Sequence, residues 1–432
     1  MKAALERYFD LAQRGTDVRT EVTAGVTTFL TMAYIAFVNP QILSAAGMPF
    51  DAVFVATCVA AALSTLLMGL YANYPIALAP GMGLNAFFAY GVVLGMGHTW
   101  QVALGTVFIS GLLFIILSIL PVRRWIIEAI PQGQKLAIAA GIGLFLGIIA
   151  LRNAGIIQGS DATLVTVGDL TAPSPILALL GFCAIVALAS RQVPGAALIG
   201  MLGVTVVGLI VGVSEWRGVA SLPPDPTPTL FALDLGGALQ AGMIAVILTF
   251  LIVDLFDTAG TLIGVAHQAQ LLDEDGQLPR MQKALIADSA GTAGGALLGT
   301  SPVTSYIESA AGASAGGRTG LTAVVVAILF LACLFFAPLA GSIPPYATAA
   351  AILYVACLMA RPLVDVDWHD VTESAAAIVT VIAIPLTFSI ADGIGIGFLT
   401  YVVIKVIAGR WGECSPMLVV VALIFAIKFA WL

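Results

Sequence analysis

Residues 248–266 read LTFLIVDLFDTAGTLIGVA, an apolar run long enough to cross a bilayer, with two carboxylates near its middle. Asp254 and Asp257 are three residues apart, so a helix projects both from one side. A carboxylate at bilayer depth costs about 3 kcal/mol or more and is tolerated where it faces a bundle interior or a water-filled cavity. The stretch therefore predicts a polar site at mid-membrane, held in place by other spans.

The composition indicates a membrane protein. The chain has 432 residues, of which 60% are hydrophobic and 9% charged. Repeated apolar runs of about 20 residues are typical of polytopic helical membrane proteins. The basic residues are too scattered to bind nucleic acid. The three histidines and five cysteines lack metal-ligand spacing, so we expect no metal site and no cofactor.

The apolar runs predict an all-α protein with about 14 transmembrane segments. The first span is expected over 22–38, ending at Asn39 and Pro40. With a cytoplasmic N-terminus, 14 of the 17 basic residues fall inside, two fall outside, and Lys428 is unassigned. The inner residues are Lys2, Arg7, Arg14, Arg19, Arg123, Arg124, Lys135, Arg191, Arg280, Lys283, Arg318, Arg361, Lys405 and Arg410. This asymmetry supports the topology, while a final run at 416–432 fits either a span or an interfacial helix.

Two segments carry helix-breaking residues at membrane depth. Segment three reads YPIALAPGMGLNAFFAYGVVLG at 74–95, and segment ten reads GTSPVTSYIESAAGASAGG at 299–317. Both predict a short extended stretch followed by a short helix. Broken backbone is tolerated inside a membrane only where protein buries it or it lines a cavity.

The two halves of the chain resemble each other in order, which predicts two inverted repeats of seven spans, the plan of secondary transporters. Chance similarity between Gly- and Ala-rich helices is the alternative. The expected division is an N-terminal cytoplasmic segment at 1–20, a core domain from 21–131 and 239–340, a gate domain from 132–220 and 341–410, an inter-repeat loop at 221–238 and a C-terminal apolar segment at 411–432.

Polar residues of span eight and of both broken segments form the candidate site. A flat heterocycle with alternating donors and acceptors can be hydrogen-bonded by extended backbone, while carboxylates accept its ring N–H groups. The candidates for substrate binding are Asp257, Glu308, Asn85, Thr304, Ser305, Tyr306, Thr258 and Phe256. Asn85 also fits a plain helix cap, and Phe256 also fits a core or lipid-facing position.

Buried carboxyl groups that gain and lose a proton near neutral pH are candidates for proton coupling. We assign this role to Asp254, Asp257, Asp288 and Glu308. For Asp288, a helix cap or an interhelical hydrogen bond is an equal alternative. Asp254 is the less certain member of the span-eight pair, with a structural role as its alternative.

Four motifs together resemble the adenine/guanine/hypoxanthine (AzgA-like) permease branch of the nucleobase:cation symporter-2 and nucleobase-ascorbate transporter class. They are FLTMAYIAFVNPQIL at 29–43, GMGLNAFFAY at 81–90, VDLFDTAGTLIGVA at 253–266 and GTSPVTSYIESAAG at 299–312.

The resemblance implies a homodimeric inner-membrane importer that takes up purine bases with protons, with the core domain moving past the gate domain in an elevator-like cycle. It implies that Asp257 and Glu308 bind the base and that Asn85 matches the family's segment-three Asn. The related uracil and xanthine branches carry Glu in span eight, so Asp257 favours the purine branch.

Other functions predict other residues. An anion transporter of the same architecture predicts a basic or neutral site, and a uracil or xanthine carrier predicts the residues of those branches. A membrane-embedded enzyme predicts a nucleophile with its base or metal ligands, but neither GxSxG nor HExxH occurs in the chain. A channel tolerates broken helices, but a base-sized site of mixed polarity fits a carrier better. We therefore expect a transporter and not an enzyme.

Overall fold

The computed structural model describes residues 6–120, 130–273 and 278–431. Three basic residues used in the topology prediction, Lys2, Arg123 and Arg124, lie outside these ranges.

The first half of the described chain is mainly helical. It contains α1 (Val18–Met32), α2 (Ile35–Ala45), α3 (Phe50–Leu67), β1 (Leu78–Pro80), α4 (Met82–Ala86), α5 (Trp100–Ile119), α6 (Gln132–Asn153), the hairpin β2 (Ile157–Ser160) and β3 (Leu164–Val167), α7 (Pro173–Ser190) and α8 (Ala196–Val211). Helices α3 and α4 continue as π-helix over Met68–Ala72 and Phe87–Gly95.

The second half repeats this order of elements without the hairpin. After the short α9 (Leu235–Ala238) it contains α10 (Ile244–Gln268), α11 (Met281–Leu298), β4 (Val303–Ser305), α12 (Ser309–Ser314), α13 (Gly320–Cys333), α14 (Ala337–Ser342), α15 (Pro345–Ala360), α16 (Val371–Leu386), α17 (Ile390–Ile407) and α18 (Pro416–Trp431).

The predicted fold class is confirmed. Within the described residues, nine helical stretches are long and apolar enough to cross a membrane, and four apolar helices are shorter. Both segments that were predicted to break do so, each as a three-residue strand before a short helix. The paired order of helices and broken segments is that of two seven-span repeats joined by the loop before α10.

The two broken segments meet at the centre of the molecule. Strand β1 pairs antiparallel with β4, with Ala79 opposite Thr304. Each strand is also tied to the span before it by a threonine: the Thr65 hydroxyl donates to the Leu78 carbonyl at 2.9 Å, and the Thr292 hydroxyl donates to the Val303 carbonyl at 2.7 Å. Equivalent side chains of the two repeats therefore hold both strands at membrane depth, where unpaired backbone is costly.

The helices pack in two groups. Helices α1, α3, α5, α10, α11 and α13 pack around the paired strands and form the strand-bearing group. Helices α6, α7, α8, α15, α16 and α17 pack mainly on one another and form the second group. The groups approach closely at Gly83 of α4, where a Cβ atom would lie 2.3 Å from Cγ2 of Ile142.

The predicted end of the first span is wrong. The first helix ends at Met32, and α2 continues through Pro40 to Ala45 instead of stopping at Asn39. Proline is tolerated inside membrane helices where neighbouring side chains and helices satisfy the backbone. Asn39 is fully buried, and its amide donates to the hydroxyls of Thr57 and Thr300 at 2.8 and 2.9 Å.

Candidate functional site

Asp257 projects from the middle of α10 toward β4. Its side chain is exposed, unlike that of Asp254 one turn earlier, which is fully buried. The Thr304 hydroxyl on β4 lies 3.4 Å from Oδ2 of Asp257. Glu308 follows the same strand and lies close enough for its charge to act on Asp257. The two carboxylates that the sequence predicts for substrate binding therefore lie within range of each other's charge.

A line of hydrogen bonds connects Asp257 to Asp288. The Thr304 hydroxyl lies 3.0 Å from that of Thr258, and Thr258 donates to Oδ1 of Asp288 at 2.8 Å. Ser305 donates to Oδ2 of Asp288, also at 2.8 Å. Asp288 on α11 therefore accepts hydrogen bonds from α10 and from β4, and both donors, Thr258 and Ser305, are residues predicted for the site. We name this chain of groups the hydroxyl relay.

Asp254 lies outside the hydroxyl relay. Its Oδ2 atom is 2.8 Å from the hydroxyl of Thr292, and its Oδ1 atom is buried with no hydrogen-bond partner among the described groups. Thr292 is the residue that also bonds the Val303 carbonyl. Asp254 therefore faces the anchor of β4 and not the exposed face that carries Asp257.

Glu308 is held by a tyrosine. The hydroxyl of Tyr34, at the junction of α1 and α2, donates to Oε1 of Glu308 at 2.6 Å. Tyr34 is 2% exposed, whereas Glu308 is half-buried and leaves part of its carboxylate accessible. A hydrogen bond from a buried donor fixes one oxygen and leaves the other for a ligand.

Asn85 lies in a different polar cluster. It is inside α4 and not at its N-cap, and its amide donates to Oδ1 of Asn39 at 3.0 Å. Ser301 also donates to Asn39 at 3.3 Å. The Oδ1 atom of Asn85 is buried with no described partner. Asn85 therefore joins α2 to α4 and has no hydrogen bond to the described carboxylates.

The two aromatic candidates have different environments. Tyr306 is buried, and its hydroxyl donates to the Pro80 carbonyl at 2.5 Å, so it ties β4 to β1. Phe256 is half-buried, with the Lys135 ammonium of α6 5.4 Å from its ring centroid. Tyr306 thus supports the strand pair, while Phe256 faces the second group of helices.

A cavity of about 490 Å³ lies beside Glu308 between the two helix groups. This volume is within the range of about 300–1,000 Å³ that is usual for small-ligand sites. Tyr34 and Thr31 line it from the strand-bearing group, and Tyr354 and Gln192 line it from the second group. Glu308 is the charged side chain among its described lining residues.

Sequence reasoning missed Tyr34, Thr292 and Asn39. Tyr34 and Asn39 both lie in the motif at 29–43, and each is a polar residue in an apolar span. That signal is weak because hydroxyl groups in helices often bond their own backbone. Within the described residues, no cluster of three or more His, Cys, Asp or Glu side chains is arranged to hold a metal ion.

Known proteins resemble this chain in fold and in sequence. In fold, the chain is similar to the transmembrane domain of the cyanobacterial bicarbonate transporter BicA, with a TM-score of 0.63 and 19% identity over 90% of this chain and 97% of that one. It is also similar to SLC26A9, with a TM-score of 0.66 and 12% identity over 90% of this chain and 66% of that one.

In sequence, the likeness extends over nearly the whole chain. The chain is 55% identical to a putative permease of Methanocaldococcus jannaschii over 99% of this chain and 98% of the relative. It is 49% identical to the adenine permease AdeP of Escherichia coli, covering 99% and 96%. It is 45% identical to the guanine/hypoxanthine permease PbuO of Bacillus subtilis, covering 97% and 99%.

These likenesses confirm the resemblance that the four motifs indicated. The profile of the Permease family matches residues 19–396, which include both broken segments, Asp257 and Glu308. With a transporter fold and full-length permease relatives, the chain belongs to the Permease family of multi-pass membrane transporters.

Proposed function

We propose that this protein imports purine bases, namely adenine, guanine or hypoxanthine, by proton symport. Relatives named for these bases match 97–99% of the chain at 45–49% identity. The observation that carries the proposal is the position of two carboxylates at the strand pair: Asp257 lies beside Thr304 of β4, and Glu308 lines a cavity of about 490 Å³ that Asp257 does not line. Carboxylates accept hydrogen bonds from ring N–H groups, which purine bases carry.

We assign base binding to the face formed by Asp257, Glu308 and Thr304. Phe256 supplies an aromatic surface beside Asp257, and Tyr34 orients Glu308. Asn85, Ser305 and Tyr306 act one step away from the base, because their described hydrogen bonds go to Asn39, Asp288 and the Pro80 carbonyl.

Proton coupling is assigned to the hydroxyl relay. A proton that reaches Asp257 can pass through Thr304 and Thr258 to Asp288, because successive groups in this line are within hydrogen-bond reach. Glu308 and the bound base share a proton in the hydrogen bond between them. Asp254 is separate from this line and retains its own proton.

The movement follows from the two helix groups. We assign the strand-bearing group, residues 21–131 and 239–340, as the core domain that carries base and proton. The second group, residues 132–220 and 341–410, is the gate domain. The cavity beside Glu308 lies between the two helix groups. When one group slides past the other, the cavity is exposed in turn to the two sides of the membrane, which is an elevator-type mechanism. We assign the N-terminus to the cytoplasm, which the 14 basic residues on the predicted inner side favour, and we assign an inner-membrane homodimer from the family resemblance.

An anion transporter is the weaker alternative. BicA and SLC26A9 share the fold at 12–19% identity. A likeness at that level gives no information about the substrate of this chain. An anion would meet the carboxylate of Glu308 in the cavity, and charge repulsion disfavours such binding.

Uptake in a host without its own nucleobase permeases tests the proposal. Radiolabelled adenine, guanine, hypoxanthine, xanthine and uracil are supplied with and without a protonophore. We expect at least one purine of the first three to accumulate and the protonophore to abolish accumulation. Uptake by Asp257→Asn is compared with uptake by the control variant Asp161→Asn, because Asp161 is an exposed carboxylate in the β2–β3 turn. Uptake of no purine contradicts the function, and sodium-dependent uptake that resists the protonophore contradicts proton coupling.

A further inference from the structure

A second cavity, of about 330 Å³, opens on the strand-bearing group and shares no lining residue with the cavity beside Glu308. It lies where the segment before α1, the turn after α10 and the loop between α12 and α13 come together. Its lining residues are Gln13, Arg14, Gln270, Leu271, Leu272 and Arg318.

Two guanidinium groups line this second cavity, and a third lies within range of their charge. Arg14 and Arg318 line it, and the Arg14 Nη1 atom lies 3.5 Å from the Arg318 carbonyl. Arg280 is close enough for its charge to act on Arg14, so burial and then Arg280 lower the pKa of Arg14. Like charges are brought together only where another group compensates for them.

The described residues place little negative charge next to these three arginines. In the ranges described, the ion pairs involve Lys405, Arg410 and Lys428 and none of these three arginines. Asp10 and Glu21 are the acids whose charges act on Arg14.

Glu21 is already committed to helix α13. It accepts hydrogen bonds from the backbone N–H of Arg318 at 2.9 Å and from the Thr322 hydroxyl at 2.7 Å.

Donor groups are present at the second cavity and on the neighbouring Arg280. The Nη2 atom of Arg280 is buried with no hydrogen-bond partner among the described groups, while its guanidinium lies 5.2 Å from the ring centroid of Tyr74. Arg318 uses Nη1 for the carbonyls of Ala313 and Gly317. Gln13 and Gln270 add amide donors at the cavity wall. Arg280 does not line the cavity, so its contribution there is positive charge next to Arg14 rather than a direct hydrogen bond to a bound anion.

We propose that this second cavity binds a phosphate group, with Arg14 and Arg318 as its direct ligands and Arg280 behind them. The planar fork of Arg matches two phosphate oxygens at once, which a chloride ion cannot exploit. The phosphate belongs either to a free phosphorylated solute or to a lipid headgroup. In both cases it joins the N-terminal segment to the loops that end α10 and α12.

Thermal unfolding of the purified full chain tests this site. In the first arm, sodium phosphate replaces sodium chloride at constant ionic strength in an uncharged detergent. In the second arm, nanodiscs of phosphatidylcholine are compared with nanodiscs that contain phosphatidylglycerol. The variants are Arg14→Gln and Gln270→Glu, and Arg19→Gln is the control on an exposed arginine of the same segment.

If sodium phosphate raises the temperature of the unfolding midpoint in both the unmodified chain and Arg19→Gln, the result supports a free phosphorylated solute as the ligand. Arg14→Gln should then bind phosphate about tenfold more weakly, since it loses one charged hydrogen bond. A midpoint that responds to phosphatidylglycerol alone, and only when Arg14 is present, supports a lipid headgroup. If Arg14→Gln does not fold, Gln270→Glu, which places an acid on the opposite wall, must abolish the response. Equal responses in the variants and the control, or no response to either probe, overturn the proposal.

Discussion

At the scale of single residues, the hydrogen bonds around Thr292 determine where the proton of Asp254 lies. The Thr292 hydroxyl has one proton and two acceptors, the Val303 carbonyl at 2.7 Å and Asp254 at 2.8 Å. A carbonyl can only accept, so a protonated Asp254 satisfies all three oxygens. We expect the infrared spectrum at pH 7 to show the carbonyl stretch of a protonated carboxyl group that disappears in Asp254→Asn. If Asp254→Asn and the unmodified chain have the same spectrum in the region of this carbonyl stretch, the assignment of the proton to Asp254 is contradicted.

Tyr34 is expected to act through Glu308 as a positioning residue. Tyr34→Phe removes the hydrogen bond of 2.6 Å and keeps the ring, so the fold should survive. A hydrogen bond to a charged group contributes about 1.5–3 kcal/mol, which corresponds to roughly a tenfold or greater rise in KM for the base.

Tyr401→Phe is the matched control for Tyr34→Phe, because Tyr401 also donates to a glutamate, Glu373, at 2.8 Å but lies away from the cavity. The two variants are compared by initial rates of uptake. Equal KM values in the two variants would show that Tyr34 has only a structural role.

The sequence predicted the carboxylates of the site and the hydroxyl residues Thr258, Thr304 and Ser305, but it did not predict Tyr34 or Thr292. Asp257 and Glu308 stand out because a charge inside an apolar span needs a reason. Tyr34 and Thr292 carry no such signal, since a hydroxyl in a span is common and is usually satisfied by its own helix. Their roles depend on contacts between residues far apart in sequence, for example 274 positions between Tyr34 and Glu308.

At the scale of elements, proline and glycine predicted the two broken segments but gave the wrong end for the first span. In segments three and ten the breaks coincide with strands β1 and β4, which pair with each other. Pro40 causes no comparable break, because Asn39 and the surrounding helices hold α2 together. A helix breaker therefore predicts a break only if tertiary contacts do not compensate for it.

The start of α16 offers a pH prediction. The side chain of Asp370 caps this helix, and hydrogen bonds from Thr372 and then Arg410 hold the pKa of its carboxyl below its usual range. A lowered folded pKa gives stability that is present above the unfolded value, about 3.9, and is lost as pH falls toward the folded value. We expect Asp370→Asn to lower the unfolding midpoint at pH 7, with a gap to the unmodified chain that narrows below about pH 4.

Unfolding scans of detergent-purified protein from pH 7 to low pH measure this gap, with Asp161→Asn as an exposed control. A gap that is constant across pH would show that the Asp370 carboxylate adds no stability through its charge.

At the scale of the whole molecule, the arrangement of the two helix groups explains why the site has one accessible side. The strand-bearing group supplies Glu308 to the cavity and holds Asp257 and the hydroxyl relay outside its lining, and the second group supplies the opposite wall with Tyr354. Apolar runs and the sequence repeat predicted a polytopic helical fold and the positions of the two broken segments. They could not predict which residues face the cavity, because that depends on how the repeats interleave in space.

The central claim is that Asp257 and Glu308 bind a purine base. Equilibrium binding of radiolabelled adenine, guanine and hypoxanthine to the purified chain tests it most directly, because binding does not depend on proton coupling or movement. The account predicts saturable binding of at least one base, weakened about tenfold or more by Asp257→Asn and by Glu308→Gln but not by Asp161→Asn. Undiminished binding in both site variants would contradict it.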